Sequence, residues 1–109
     1  MVKKRFDLPF VTLYTGNEER VVKRLAISPG SGKGMAKAAE AAECDVLISG
    51  DFGHHDGLDA VAAGLSVINA GHYGLEHIFT EFMSEYLKEK LGPEIEIAAA
   101  DIRIPEQLM

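Results

Sequence analysis

Short apolar runs separated by glycine-bearing turns recur along most of the chain. Leu25-Ala26-Ile27, Val46-Leu47-Ile48 and Ser66-Val67-Ile68 are rich in β-branched residues, and each runs into a turn that contains glycine. They read as buried strands. Residues 10–15 read as an earlier strand, turning through Gly16 and Asn17 into a segment at 21–27, and residues 95–99 read as a last one. Pro9 and the charges at Glu94 and Glu96 suit these two outer runs to sheet edges.

Between the strands the period changes to helical. Residues 35–42 form a short pattern, and a second covers 58–65, with Leu58, Val61, Ala62 and Leu65 on one face. A long helix is predicted after Gly71. In it Leu75, Ile78, Phe79, Phe82, Met83 and Tyr86 form an apolar stripe, with His77, Glu81, Ser84, Glu85 and Lys88 on the other side, and Gly92-Pro93 stops it. Strands alternating with helices through short connections predict βαβ crossovers. The fold class is α/β, with a mostly parallel sheet in a single domain over residues 1–109.

The chain has 109 residues, 47% of them hydrophobic and 26% charged, which suits one globular domain with one core. The mean hydropathy of +0.02 argues against a membrane protein, and no apolar run approaches the roughly 18 residues of a spanning helix. A net charge of −6 disfavours nucleic acid as a partner, because a binder needs a basic stripe, while leaving divalent cations open. The one cysteine, Cys44, cannot make an internal disulfide and reads as packing. With no signal-peptide apolar region after Lys3-Lys4-Arg5, the expected location is the cytoplasm.

In an open α/β sheet the strand-to-helix turns emerge at the carboxyl edge, where ligands bind. Three such turns are present: Ser28-Pro29-Gly30-Ser31-Gly32-Lys33-Gly34, Gly50-Asp51-Phe52-Gly53-His54-His55-Asp56 and Ala70-Gly71-His72-Tyr73. They gather three of the four histidines at one edge. His72 and Glu76, four apart, share a helix face, the spacing by which an imidazole and a carboxylate reach one metal ion. The plainer alternative is that Glu76 complements a helix N-terminus and His72 caps a turn. Asp51 and His55 are the candidate acid–base residues of the middle turn, and Asp56 either joins them or caps a helix beginning near Gly57. The first turn is not a Walker loop, since Ile27 and Gly34 stand where that motif has a glycine and a Ser or Thr. It remains a tight turn or a cradle of backbone N–H groups.

Taken together, the stretch from Gly50-Asp51-Phe52-Gly53-His54-His55-Asp56-Gly57 to Asn69-Ala70-Gly71-His72-Tyr73-Gly74-Leu75-Glu76 resembles the C-terminal half of the Nif-three-like family. Many members of that family carry the name GTP cyclohydrolase 1 type 2 homologue. The resemblance implies two divalent metal ions, such as Zn, Mn or Fe, in a cleft between two related α/β halves, and assembly into toroidal hexamers. It implies His72 and Glu76 as metal ligands from a Gly-His-x-x-x-Glu motif. Asp51 and His55 fall on a Gly-Asp-x-x-x-His stretch that lines the cleft, while His54 stands where the family often has an aromatic residue.

The family's N-terminal half contributes a paired-histidine motif and an aspartate, and neither is present here; His54-His55 aligns with a different motif. The expected function is therefore a divalent-metal-binding domain of a metal-dependent hydrolase, of GTP cyclohydrolase type and acting on a small molecule such as a nucleotide. The alternatives are a non-catalytic metal- or partner-binding regulatory module, or an oligomerising half-domain with an incomplete site. A homo-oligomer and a missing N-terminal half are the expected protein partners, since half of a two-domain protein leaves an apolar wall uncovered.

Overall fold

In the computed structural model, which describes residues 1–104, 107 and 109, four strands form one mixed sheet. The strands are β1 (Thr12–Tyr14), β2 (Leu25–Ser31), β3 (Val46–Gly50) and β4 (Ser66–Asn69). The helices are α1 (Val2–Arg5), α2 (Met35–Ala41), α3 (His54–Ala62), α4 (His72–Glu76) and α5 (Ile78–Leu91), followed by a 3-10 turn at Gly92–Glu94. The sheet order is β1-β4-β3-β2: β2, β3 and β4 run parallel, and β1 joins β4 antiparallel. The α/β class and the parallel core agree with the sequence pattern.

Strand β3 is buried along its whole length, as expected of a continuous apolar run covered on both faces. Alternation along the strands divides the core in two. Leu47 and Val67 meet Ala39, Phe52, Ala60 and Leu65 beneath α2 and α3, with Cys44 packed alongside. Val46 and Ile48 meet Leu8, Ala70 and Leu75 on the opposite face.

Several expectations are corrected. Strand β2 begins at Leu25 rather than Val21 because the N–H groups of Lys23 and Arg24 donate to Asp45 Oδ2 at 2.8 and 2.9 Å instead of to a neighbouring strand. Those two bonds, with the Arg20 guanidinium at 2.9 Å, hold the Asp45 carboxyl below its ordinary range. Residues 95–99 form no strand: Ile95 is 54% exposed, and the segment pairs with none of the four strands of the sheet. Helix α3 starts at His54, so His54 and His55 occupy its first turn, and no side chain caps it; Asp56 lies inside that turn and is not a cap.

The long helix after Gly71 is divided at His77. Tyr73 O accepts the backbone N–H of His77 at 2.9 Å and lies 3.2 Å from its Nδ1, while Thr80 N donates to His77 O at 3.2 Å, a tighter three-residue turn where α4 gives way to α5. The covered face differs from the one expected. His77 and Ser84, expected on the polar side, are buried, while Ile78, Phe79, Phe82 and Tyr86 are 46–65% exposed. On β2, Leu25 and Ile27 are uncovered as well. The Cα radius of gyration is 16.4 Å, against about 13 Å for a compact chain of roughly 100 residues, consistent with α5 reaching away from the sheet.

Candidate functional site

A break in register shapes the carboxyl edge. Ser28 pairs with Ser49, but the next pair is Ser31 with Gly50, so Pro29 and Gly30 bulge from β2. Proline, lacking an N–H, suits such a position. The bulge is pinned by Ser49 Oγ donating to Ser28 O at 2.9 Å and by Gly32 N donating to Gly50 O at 3.0 Å. Gly30 takes φ +70° and lies over the N-terminal turn of α4. A Cβ there would fall 2.8 Å from Glu76 Oε1 and 3.4 Å from His72 Nε2.

Beneath Gly30, His72 lies between two carboxylates. Its Nδ1 is 2.7 Å from Asp51 Oδ2, and its Nε2 is 3.2 Å from Glu76 Oε2. Three of the four predicted site residues therefore come together. The fourth, His55, does not join them: its ring packs edge-on against His54, with 5.5 Å between centroids. Among the described residues, no group of three or more His, Cys, Asp and Glu is placed to hold one ion. The reason is geometric, since Asp51 and Glu76 approach opposite nitrogens of the same ring.

The backbone contributes two features that spacing did not reveal. Asp51 has φ +48°, a left-handed conformation that costs an L-residue about 1–3 kcal/mol and is best tolerated by glycine, asparagine and aspartate. Asn69, at the end of β4, donates from Nδ2 to Phe52 O at 3.3 Å and accepts from Gly71 N at 3.1 Å, tying the loop that holds Asp51 to the turn before His72. Its position at a strand's carboxyl end was the available signal. Beside Glu76 an open apolar hollow of about 710 Å³ is lined by Pro29, Tyr73, Leu75, Phe79 and Phe82.

The hydrogen bond to Asp51 raises the pKa of His72 above its ordinary 6.5; desolvation opposes it, and the charge of Glu76 adds to the rise. Protonated His72 can donate to both carboxylates. Its stabilisation is complete below the unfolded-state value near 6.5 and disappears as pH rises through the higher folded-state value. An NMR titration of the metal-free chain is expected to give His72 a midpoint above 6.5, whereas one at or below 6.5 would show the carboxylates are not engaged.

The fold and site define a small, mainly parallel α/β unit with a histidine held between carboxylates at the carboxyl edge of its sheet. The sequence profile of Duf34/NIF3 (NGG1p interacting factor 3) matches residues 1–105, and the chain belongs to this family. A GTP cyclohydrolase 1 type 2 homolog of Staphylococcus epidermidis is 36% identical over 89 residues, covering 82% of this chain and 24% of the relative. One from Staphylococcus aureus is 33% identical over 99 residues, covering 87% and 27%. The chain thus spans about a quarter of the length of these curated relatives. A Staphylococcus aureus crystal structure superposes with a TM-score of 0.85 at 32% identity, covering 98% of this chain and 36% of that one. A Bacillus cereus protein related to NIF3 superposes with a TM-score of 0.90 over 98% of this chain and 30% of its own; at 23% identity it shows the fold alone. No helix among the described residues is long and apolar enough to cross a membrane.

Proposed function

We propose that this chain forms one wall of a divalent-metal site in a metal-dependent hydrolase. The observation that carries the reading is the approach of His72 Nε2 to Glu76 Oε2, 3.2 Å apart beneath a glycine that leaves the space open. When the imidazole is neutral and Nδ1 keeps the proton shared with Asp51, Nε2 presents a lone pair to a carboxylate. Two acceptors so close need a proton or a cation between them, and a neutral imidazole with a carboxylate suits Zn, Mn or Fe. Such an ion supplies Lewis acidity for hydrolysis.

Two donors are fewer than the three or four protein ligands usual for zinc, so the remaining ligands come from protein beyond this sheet. The exposed stripe Ile78-Phe79-Phe82-Tyr86 is a surface on which a further wall or a second copy can seat. Phe79, Phe82 and Tyr73 offer an apolar, aromatic wall to a planar substrate such as a nucleotide base, the class expected from a GTP cyclohydrolase-like relative. The Asp51 carboxylate is engaged by His72, and His55 is exposed at the start of α3 with its ring against His54, so neither is assigned the proton transfer of the middle turn.

Equilibrium dialysis against Mn, Zn and Fe tests the proposal, comparing wild type with a His72→Ala/Glu76→Ala double variant. Metal retained by wild type and lost by the variant supports it, and equal, negligible metal in both rejects it. Retained metal with no turnover of GTP or related nucleotides favours the non-catalytic binding module.

A further inference from the structure

We propose that Asp51 is a positioning residue for His72: its carboxylate fixes the imidazole as the Nδ1–H tautomer and holds the ring so that Nε2 faces Glu76 and the open space under Gly30. The inference rests in part on the metal-site reading above. It extends that reading to a residue that spacing grouped with His55 as an acid–base catalyst.

Three observations point the same way. The Asp51 contact is the shorter of the two that His72 makes, 2.7 Å against 3.2 Å, so Asp51 takes the ring proton and Glu76 is left facing the lone pair. Asp51 also approaches the nitrogen remote from the Gly30 cradle, where it cannot share an ion with Glu76 but can orient the ring, as outer carboxylates do for metal-binding histidines. Finally, its backbone takes φ +48°, directly after the buried end of β3. A strained backbone persists where its surroundings over-determine it. Here the carboxylate's bond to His72 and the Asn69 bridge between Phe52 O and Gly71 N hold the two turns in register.

The left-handed backbone makes a clean set of variants available. Asparagine tolerates φ > 0 about as well as aspartate, so Asp51→Asn keeps the turn while removing the anionic acceptor; Asp51→Gly relieves the turn entirely and removes the side chain. Thermal unfolding of both variants is the check that they remain folded.

The first readout needs no metal: nitrogen-15 shifts of His72 in the metal-free chain, at a pH above its titration. Wild type is expected to be mainly Nδ1–H, and both variants to move towards Nε2–H, which Glu76 can accept. A wild type mainly in the Nε2–H form overturns the proposal whatever the metal does, as does a wild-type-like tautomer ratio in Asp51→Asn.

The second readout is Zn²⁺ affinity, expected to fall roughly 10- to 100-fold in both variants. Wild-type affinity in Asp51→Gly means that Asp51 merely bends the chain, and the proposal fails. If wild type itself binds no Zn²⁺, the metal-site reading fails, and the tautomer ratios alone decide the role of Asp51.

Discussion

Replacing Gly50 by alanine is expected to destabilise the chain by about 3 kcal/mol, among the larger losses for a single methyl group. A Cβ at this position would lie 2.6 Å from Gly30 O and 2.7 Å from both Gly71 C and His72 Cα. All three atoms are backbone. No side chain can rotate away, so relief requires β2, or the turn into α4, to move off the end of β3. At roughly 4–8 °C per kcal/mol for a domain near this size, the midpoint of thermal unfolding should fall by more than about 10 °C. A calorimetric scan checks this, and a shift of only a degree or two would mean that the three turns are not packed backbone to backbone. Gly50 is thus a point where the backbones of all three turns meet, next to His72.

A second large effect is expected on the site rather than the fold. Gly30→Ala puts a methyl group 2.8 Å from Glu76 Oε1 and forces an L-residue to φ +70°. The backbone term costs about 1–2 kcal/mol. The carboxylate, at the end of a flexible side chain, relieves the clash by turning away, and that movement removes one of two donors. The expected result is a modest loss of stability together with at least a tenfold loss of metal affinity, measured by titration with Zn²⁺. Unchanged affinity with the stability loss would show that the space under Gly30 is not where an ion binds. This variant and Gly50→Ala differ in kind, one displacing backbone and the other a ligand.

Much of this arrangement is legible in the sequence because it depends on short-range patterns. The apolar runs at Val46-Leu47-Ile48 and Ser66-Val67-Ile68 lie inside strands β3 and β4, and the four-residue spacing of His72 and Glu76 does place them on one helix face. The likeness to the Nif-three-like family follows from the same glycine-bearing turns. What the pattern could not supply depends on partners distant in sequence. Asp45 decides where β2 begins, because its carboxylate captures two N–H groups more than twenty positions earlier. On the last helix the strongest apolar stripe faces outward and the face bearing His77 and Ser84 faces inward. An amphipathic period shows that a stripe exists; it does not show whether its partner is in the same chain. Likewise, adjacency in one turn grouped Asp51 with His55, but a left-handed residue at Asp51 and the start of α3 at His54 send the two side chains to different places.

The central claim is that His72, through its imidazole, holds a divalent ion together with Glu76. Pulsed EPR of the chain loaded with Mn²⁺ reads this most directly, because a coordinated imidazole nitrogen couples to the metal's electron spin. The account predicts a single imidazole coupling in wild type, retained in His55→Ala and absent in His72→Ala. A coupling that survives in His72→Ala, or none in the Mn²⁺-loaded wild type, would contradict it.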